Sequence, residues 1–329
     1  MTAVNLDPAS WNLLTSAALT HSFVAGATLA DLAKTDPRIV VLGADLKYSN
    51  RTSDFAAEFG DRFFNLGIAE QNMVSVAAGM ASFGLIPFVG TFASFVGLLC
   101  AEQIRTDLAY TGMPVRILAH HAGISLGFYG TSHHATEDVA IVRSIADIAL
   151  VAPCDARSLD SALRQTIDLP GPVYFRIGRG RDPDVYDQNS IAGWRFGRAT
   201  WLADGADLAV LSYGSTVTPA LAAARAAAAE GLAVAVADMH TLKPFDTEAI
   251  EHAARARLGI LVVEEHNTIG GLATAVADVL ATRRISAPLN RIGVPDEYAP
   301  VGPPTHLYRH YRLDAPGILT ELRAMAENG

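Results

Sequence analysis

Short runs of Val, Ile and Leu alternate along this 329-residue chain with longer segments whose apolar residues recur at helical spacing. Thr15 to Lys34 reads as a helix that stops before Asp36-Pro37. Strands are predicted over Arg38 to Ala44, Arg62 to Ile68, Ile86 to Thr91, Val115 to Ala119, Ile148 to Ala152 and Val173 to Arg176. These runs are apolar throughout rather than alternating, the pattern of strands covered on both faces in a parallel sheet. From Gly178 to Asp207 the pattern loosens into a polar, Gly- and Trp-containing stretch that reads as a connection. A second unit follows, with strands over Leu208 to Tyr213, Ala233 to Met239, Leu258 to Glu264 and Leu289 to Val294. Its helices are Thr216 to Glu230, Thr268 to Ala281 and a closing helix for which Asp314 is the N-cap. The prediction is an α/β protein of two doubly wound domains with mostly parallel sheets, residues 1–187 and 188–329.

Composition narrows the classes. The net charge of -9 gives no basic face for a phosphate backbone, so nucleic acid is not an expected partner. No apolar run approaches the roughly 20 residues that span a bilayer. The first residues lack the basic and apolar regions of a secretory signal, so a soluble cytoplasmic protein is expected. Cys100 and Cys154 are the only cysteines and read as reduced core residues.

The stretch Phe63-Phe64-Asn65-Leu66-Gly67-Ile68-Ala69-Glu70-Gln71-Asn72-Met73 carries the first candidate chemistry. Phe63 to Ile68 reads as a short buried strand, and Glu70 sits where it turns into a helix with Met73, Val76, Ala77 and Met80 on one face. Desolvation of a carboxyl raises its pKa, which suits a group that holds and passes a proton. Taken alone, a first-turn Glu is more often simply a residue stabilised by the helix dipole. Gly-Ile-Ala-Glu-Gln-Asn-Met, however, resembles the pyrimidine-side signature of the transketolase family of thiamin diphosphate enzymes. The resemblance extends over nearly the whole chain. It implies that Glu70 bonds N1′ of the cofactor's aminopyrimidine, while the cofactor carries the carbanion chemistry.

The same resemblance assigns other positions. Phe92 and Phe95, in Thr91-Phe92-Ala93-Ser94-Phe95-Val96-Gly97-Leu98, match aromatics that stack on the pyrimidine, with Leu98 in place of a third. By spacing alone, two Phe at i and i+3 are also ordinary core. Gly43-Ala44-Asp45-Leu46-Lys47-Tyr48-Ser49-Asn50 lies beyond a strand's carboxyl end, where open α/β sheets place ligands. It resembles the family's Ala-Asp-Leu loop, which puts Asp45 and Leu46 near the cofactor ring and Ser49 near a substrate phosphate. Four His at strand ends, with no completing acidic or Cys ligand, fit proton transfer near neutral pH better than metal binding. By resemblance His121 binds substrate and His133 lies near the reacting carbon. The His133-His134 pair resembles deoxyxylulose-phosphate synthases and the β subunits of 2-oxoacid dehydrogenases. Arg176 matches a phosphate ligand, a contact for which a guanidinium at a strand end is well shaped. Two positions depart from ordinary transketolases: Tyr129 replaces an Asp that recognises a sugar hydroxyl, and His21 replaces an Arg that binds phosphate. Glu137 and Asp138 read as first-turn helix charges. Gly270-Gly271 opens a helix whose N-terminus is able to hold an anion, with tight packing at a subunit interface the favoured use.

Thiamin diphosphate needs Mg²⁺ held by hard oxygen ligands. The family draws these from a Gly-Asp-Gly segment, which this sequence lacks. The resemblance therefore implies the β subunit of a split transketolase. Mg²⁺ ligands are expected on an α subunit in an α₂β₂ assembly, none in this chain. The implied reaction moves a two-carbon ketol unit from a ketose, with phosphate, to an aldehyde. Decarboxylation of a 2-oxoacid is the alternative, and a noncatalytic scaffold or regulatory subunit the second alternative.

Overall fold

A computed structural model of the chain describes residues 24–179 and 183–328. The first sheet is built from β1 (Ile39–Gly43), β2 (Phe63–Asn65), β3 (Ile86–Phe92), β4 (Arg116–His120), β5 (Ala149–Val151) and β6 (Val173–Arg176). The second half supplies β7 (Thr200–Ala203), β8 (Leu208–Ser212), β9 (Val234–Asp238), β10 (Thr241–Lys243), β11 (Ile260–Asn267) and β12 (Leu289–Val294). A seven-stranded sheet runs β10-β5-β6-β4-β3-β1-β2, and a five-stranded sheet runs β12-β11-β8-β9-β7. All pairings are parallel except β10 with β5 and β7 with β9. The α/β class and the mostly parallel sheets are as the apolar runs predict.

Central strands are buried along their full length. Every residue of β1, β3, β4 and β8 is buried, which accounts for their mainly apolar sequence. Helices close both faces. Asp155 opens Ala156–Thr166 with a capping box shared with Ser158, a contact worth about 1 kcal/mol. Asp246 caps Thr247–Ala253 through the Ala249 N–H. Asp314 accepts from the Gly317 N–H at 3.0 Å, in front of the helix Ala315–Asn328, as its sequence position predicts. One apolar cluster joins Leu42, Val89 and Ile117 of the first sheet to Leu211, Ala237 and Val262 of the second. The two sheets thus share a core.

Four readings of the sequence are corrected. Phe63 to Ile68 is not a buried strand: β2 is the sheet's outer strand and Ile68 is 85 % exposed. The helix Glu70–Ser82 buries Met73, Val74, Ala77 and Ala81, leaving Val76 and Met80 at the margin. Thr200–Ala203 is a strand inside the stretch that reads as connection, with all four residues half-buried. β10 arises from the second half of the chain yet completes the first sheet. Both cysteines are free and buried, as expected. Among the described residues no helix is long and apolar enough to cross a membrane. The first part of the predicted helix Thr15 to Lys34, and His21 with it, lies outside the described residues; Val24–Ala33 is helical.

Candidate active site

In a parallel sheet all strands end on the same edge, and the residues singled out in the sequence follow those ends. β2 leads to Glu70, β3 to Phe92 and Phe95, and β4 to His120 and His121. Glu70 is the first residue of its helix and is only 8 % exposed. Its Oε1 accepts a hydrogen bond from Thr91 Oγ1 at 3.3 Å, across the β3 end. Behind it lies the Cys100 thiol, whose pKa burial pushes up to about 12, with the Glu70 charge adding to the effect.

Facing that edge is an aromatic wall. The Phe92 ring centre lies 5.5 Å from Phe95, 4.5 Å from His121 and 5.9 Å from His133. Phe95 meets His133 edge-on at 5.2 Å, and Tyr129 covers His133 at 4.7 Å. Phe92, Phe95, Tyr129, His121 and His133, taken from three separate stretches of sequence, are therefore one group. His121 occupies the left-handed backbone region at φ 59°. That conformation is uncommon for a residue with a side chain and recurs at functional sites. Burial, reinforced by His120, Arg179 and His133, holds the His121 pKa well below its ordinary value. Burial also lowers His133, whose Nδ1 lies 2.9 Å from Ser132 Oγ. His134 is lowered too, first by burial, with the Gly127 backbone opposing. The site therefore presents neutral imidazoles at neutral pH.

The loop after β1 is held by a residue that no sequence signal marks for chemistry. Asn65, at the end of β2, accepts from the Asp45 N–H at 3.0 Å and donates from Nδ2 to Asp45 Oδ1 at 3.2 Å. It also accepts from the Gly67 N–H at 3.2 Å, just before Glu70. One amide side chain thus spaces Asp45 from Glu70. Asp45 has φ 60° and is exposed at the rim, with Leu46 and Ser49 half-buried beside it. Leu98 is exposed and forms no part of the ring group.

Arg176 is placed differently from a rim anion ligand. Its side chain is 3 % exposed and pairs with the fully buried Asp138, Nε to Oδ2 3.0 Å. Its Nη2 donates to the carbonyls of Ala135 and Glu265, so protein acceptors occupy it on both sides. Asp138 accordingly does more than stabilise a first turn. Arg179, three residues on, is near enough for its charge to help depress the His121 pKa. The Gly178-Arg179-Gly180 run reads as loosened connection in the sequence, which conceals it.

The anion-holding use that Gly270-Gly271 allows is taken up from within. Glu264 accepts from the N–H groups of Leu272 at 2.7 Å and Ala273 at 3.0 Å, at the start of the helix Leu272–Arg283. The dipole is satisfied by the protein's own carboxylate. Among the described residues no three His, Cys, Asp or Glu side chains gather as a metal site.

Comparison with known proteins agrees with this arrangement. Residues 18–183 match the model for the transketolase pyrimidine binding domain, and residues 197–318 the transketolase C-terminal domain. The chain is similar to an apulose-4-phosphate transketolase subunit of Phocaeicola vulgatus, 38 % identical over 88 % of this chain and 92 % of that protein. It is also similar to a 6-deoxy-6-sulfo-D-fructose transketolase subunit of Clostridium, 34 % identical over 91 % of this chain and 92 % of the relative. A solved split gene transketolase, an inactive β4 tetramer, superposes with a TM-score of 0.83 at 38 % identity, over 92 % of this chain and 96 % of that one. The transketolase of Leishmania mexicana shares the fold at a TM-score of 0.77 and 23 % identity, with 93 % of this chain covering 45 % of its length. The chain belongs to the transketolase family and carries its pyrimidine-binding and C-terminal domains.

Proposed function

We propose that this chain is the β subunit of a split transketolase, moving a two-carbon ketol unit from a ketose phosphate to an aldehyde. One observation carries the reading: the buried Glu70 carboxyl opens its helix at the strand edge where Phe92, Phe95, His121 and His133 form an aromatic wall. Such a wall and carboxyl fit an aminopyrimidine, with the rings for its face and Glu70 for its N1′. Thiamin diphosphate, when bound, supplies the carbanion chemistry. Glu70 holds the proton at the pyrimidine nitrogen, and Thr91 fixes the carboxyl's orientation. Neutral His121 and His133 are placed to take and return a proton at the substrate's hydroxyl or carbonyl oxygen. Asp45 and Leu46 line the rim beside the ring, with Ser49 and Arg179 as the anion contacts in place of Arg176.

The reading includes Mg²⁺ and an α subunit that holds it with the diphosphate, in an α₂β₂ assembly in the cytoplasm. It is supported by the names of the relatives, which describe subunits and a split gene. The test is calorimetric titration of thiamin diphosphate with Mg²⁺ into the chain alone and into its mixture with the partner, followed by ketose-phosphate transfer assays. Binding in the mixture only, with transfer and no CO₂ release, is the expected result. Tight binding to the chain alone breaks the split-site reading. CO₂ release from pyruvate favours the 2-oxoacid reaction, toward which the adjacent His133-His134 pair points. The deoxyxylulose-phosphate synthase of Geobacter metallireducens, 34 % identical over 93 % of this chain and 49 % of its own length, leans the same way.

A further inference from the structure

The loop between His121 and Thr136 carries the site's imidazoles, yet the second domain holds it. Glu265, at the end of β11, is buried and aims its carboxylate back into the first domain. Its Oε1 accepts from the Ile124 N–H at 2.7 Å. Its Oε2 accepts from the Ser215 hydroxyl, to which Tyr308 Oη donates at 3.3 Å. Beside it Gly123 has φ 63°, and a Cβ there would lie 2.2 Å from the Glu265 carboxyl carbon. No other residue type fits that position in both backbone and space. Ile124 itself is built into the second domain's cluster with Leu208, Val210 and Leu307.

The opposite arm of the loop is tied to the same strand. Gly123 and Ala135 exchange backbone hydrogen bonds at 3.1 and 2.9 Å. Arg176 Nη2 bridges the Ala135 and Glu265 carbonyls at 3.1 and 2.8 Å. The Asn267 N–H donates to the Thr136 carbonyl, and the Gly302 N–H to that of Gly127. His121 stands two residues before Gly123, and His133 two before Ala135. A single carboxylate therefore sits at the point from which both imidazoles are hung.

We propose that Glu265 is a positioning residue for the transketolase reaction, through which the second domain sets the conformation of the His121–Thr136 loop. The catalytic consequence rests on the function proposed above; the loop geometry does not. Burial raises the Glu265 pKa while Arg176, Ser215, Tyr308 and the Ile124 N–H oppose it. A neutral amide keeps the carbonyl acceptor for Ile124, which makes Glu265→Gln the conservative variant.

The test has two arms. Hydrogen exchange on the purified chain reads the loop directly. Glu265→Ala is expected to speed exchange in peptides covering 120–136 about tenfold or more, with the Glu70–Ser82 helix unchanged and Glu265→Gln near wild type. Kinetics on the assembled enzyme reads the consequence. Glu265→Ala is expected to lower kcat about tenfold or more, with thiamin diphosphate affinity within twofold, Glu265→Gln restoring most of the rate. Gly123→Ala and the Glu265→Ala/Gly123→Ala double variant complete a cycle in which the losses do not add. Unchanged exchange in Glu265→Ala overturns the positioning role. So does a loss spread over the whole chain, or cofactor affinity falling in step with kcat. A wild-type assembly without transfer activity sinks the proposed function, and the exchange arm still decides the role of Glu265.

Discussion

Thr91 Oγ1 and Glu70 Oε1 meet at 3.3 Å across the end of β3, so the strand edge orients the carboxyl that opens the neighbouring helix. Removing the acid while keeping its shape isolates its proton chemistry. Glu70→Gln in the assembled enzyme is expected to cut turnover by about 10²-fold or more, the range for loss of a positioned proton-transfer group. Thermal melting should stay within a few degrees. A variant turning over at the wild-type rate rules out the role given to Glu70.

The Arg176–Asp138 pair stands buried at the junction of the domains. Arg176→Ala leaves Asp138 charged and unpaired away from water, a loss of about 3–5 kcal/mol. Chemical denaturation measures it. A loss under about 1 kcal/mol, together with a raised KM for phosphorylated ketoses, would return Arg176 to the role of anion ligand that its sequence position implies.

Gly271 has ordinary backbone angles, and what fixes it is space. A Cβ there would lie 2.1 Å from Glu264 Oε2. Gly271→Ala is expected to destabilise the chain by about 1–3 kcal/mol through overpacking. In the background of Glu264→Ala the same change should cost much less. Equal losses in the two backgrounds argue against the contact.

Asp238 is fully buried, and burial pushes its pKa up to about 7 against the donations of Tyr186 and Cys154. The folded chain therefore binds a proton that the unfolded chain releases near pH 4. Its contribution is complete below that pH and fades as pH rises through about 7. By the size of the shift, about 4 kcal/mol is at stake. Denaturation of wild type and Asp238→Asn between pH 5 and 8 should show a falling difference; parallel curves would remove Asp238 as the cause.

Ile68, Leu98 and Leu99 are exposed, and Gln71 Nε2, next to Glu70 in sequence, donates to the Leu99 carbonyl at 2.9 Å. Exposed apolar side chains near a strand edge are candidates for an interaction surface. Leu99→Asp is expected to leave a folded chain that no longer sediments with its α subunit. Normal assembly would place the partner elsewhere.

Much of this is legible in the sequence because central parallel strands leave an unambiguous trace. Ile86 to Thr91 and Leu208 to Tyr213 match β3 and β8 almost residue for residue. The ring group is legible through motif resemblance, since nothing in the spacing of Phe92, His121 and His133 says that they meet. What escapes is decided by position in the sheet. β2 is an outer strand, so Phe64, and Ile68 just beyond it, are exposed although they read as core. β7 and β10 are short antiparallel strands at sheet edges, where half-buried or mixed residues suffice and no apolar run announces them. Arg176 reads as an anion ligand by residue type, and only the fold shows that Asp138 reaches it first. Asn65 and Glu265 act through backbone N–H groups, contacts that leave no periodic signature.

β10 carries a wider consequence. By pairing with β5 it seals one margin of a sheet whose other strands were all made earlier in the chain. A break between the chain's own halves would strip β5 of its neighbour and bare a row of unpaired amides, the template on which polypeptides stack edge to edge. Protease nicking near residues 183–190 should therefore leave two fragments that stay together until denatured. The separately expressed first half should aggregate.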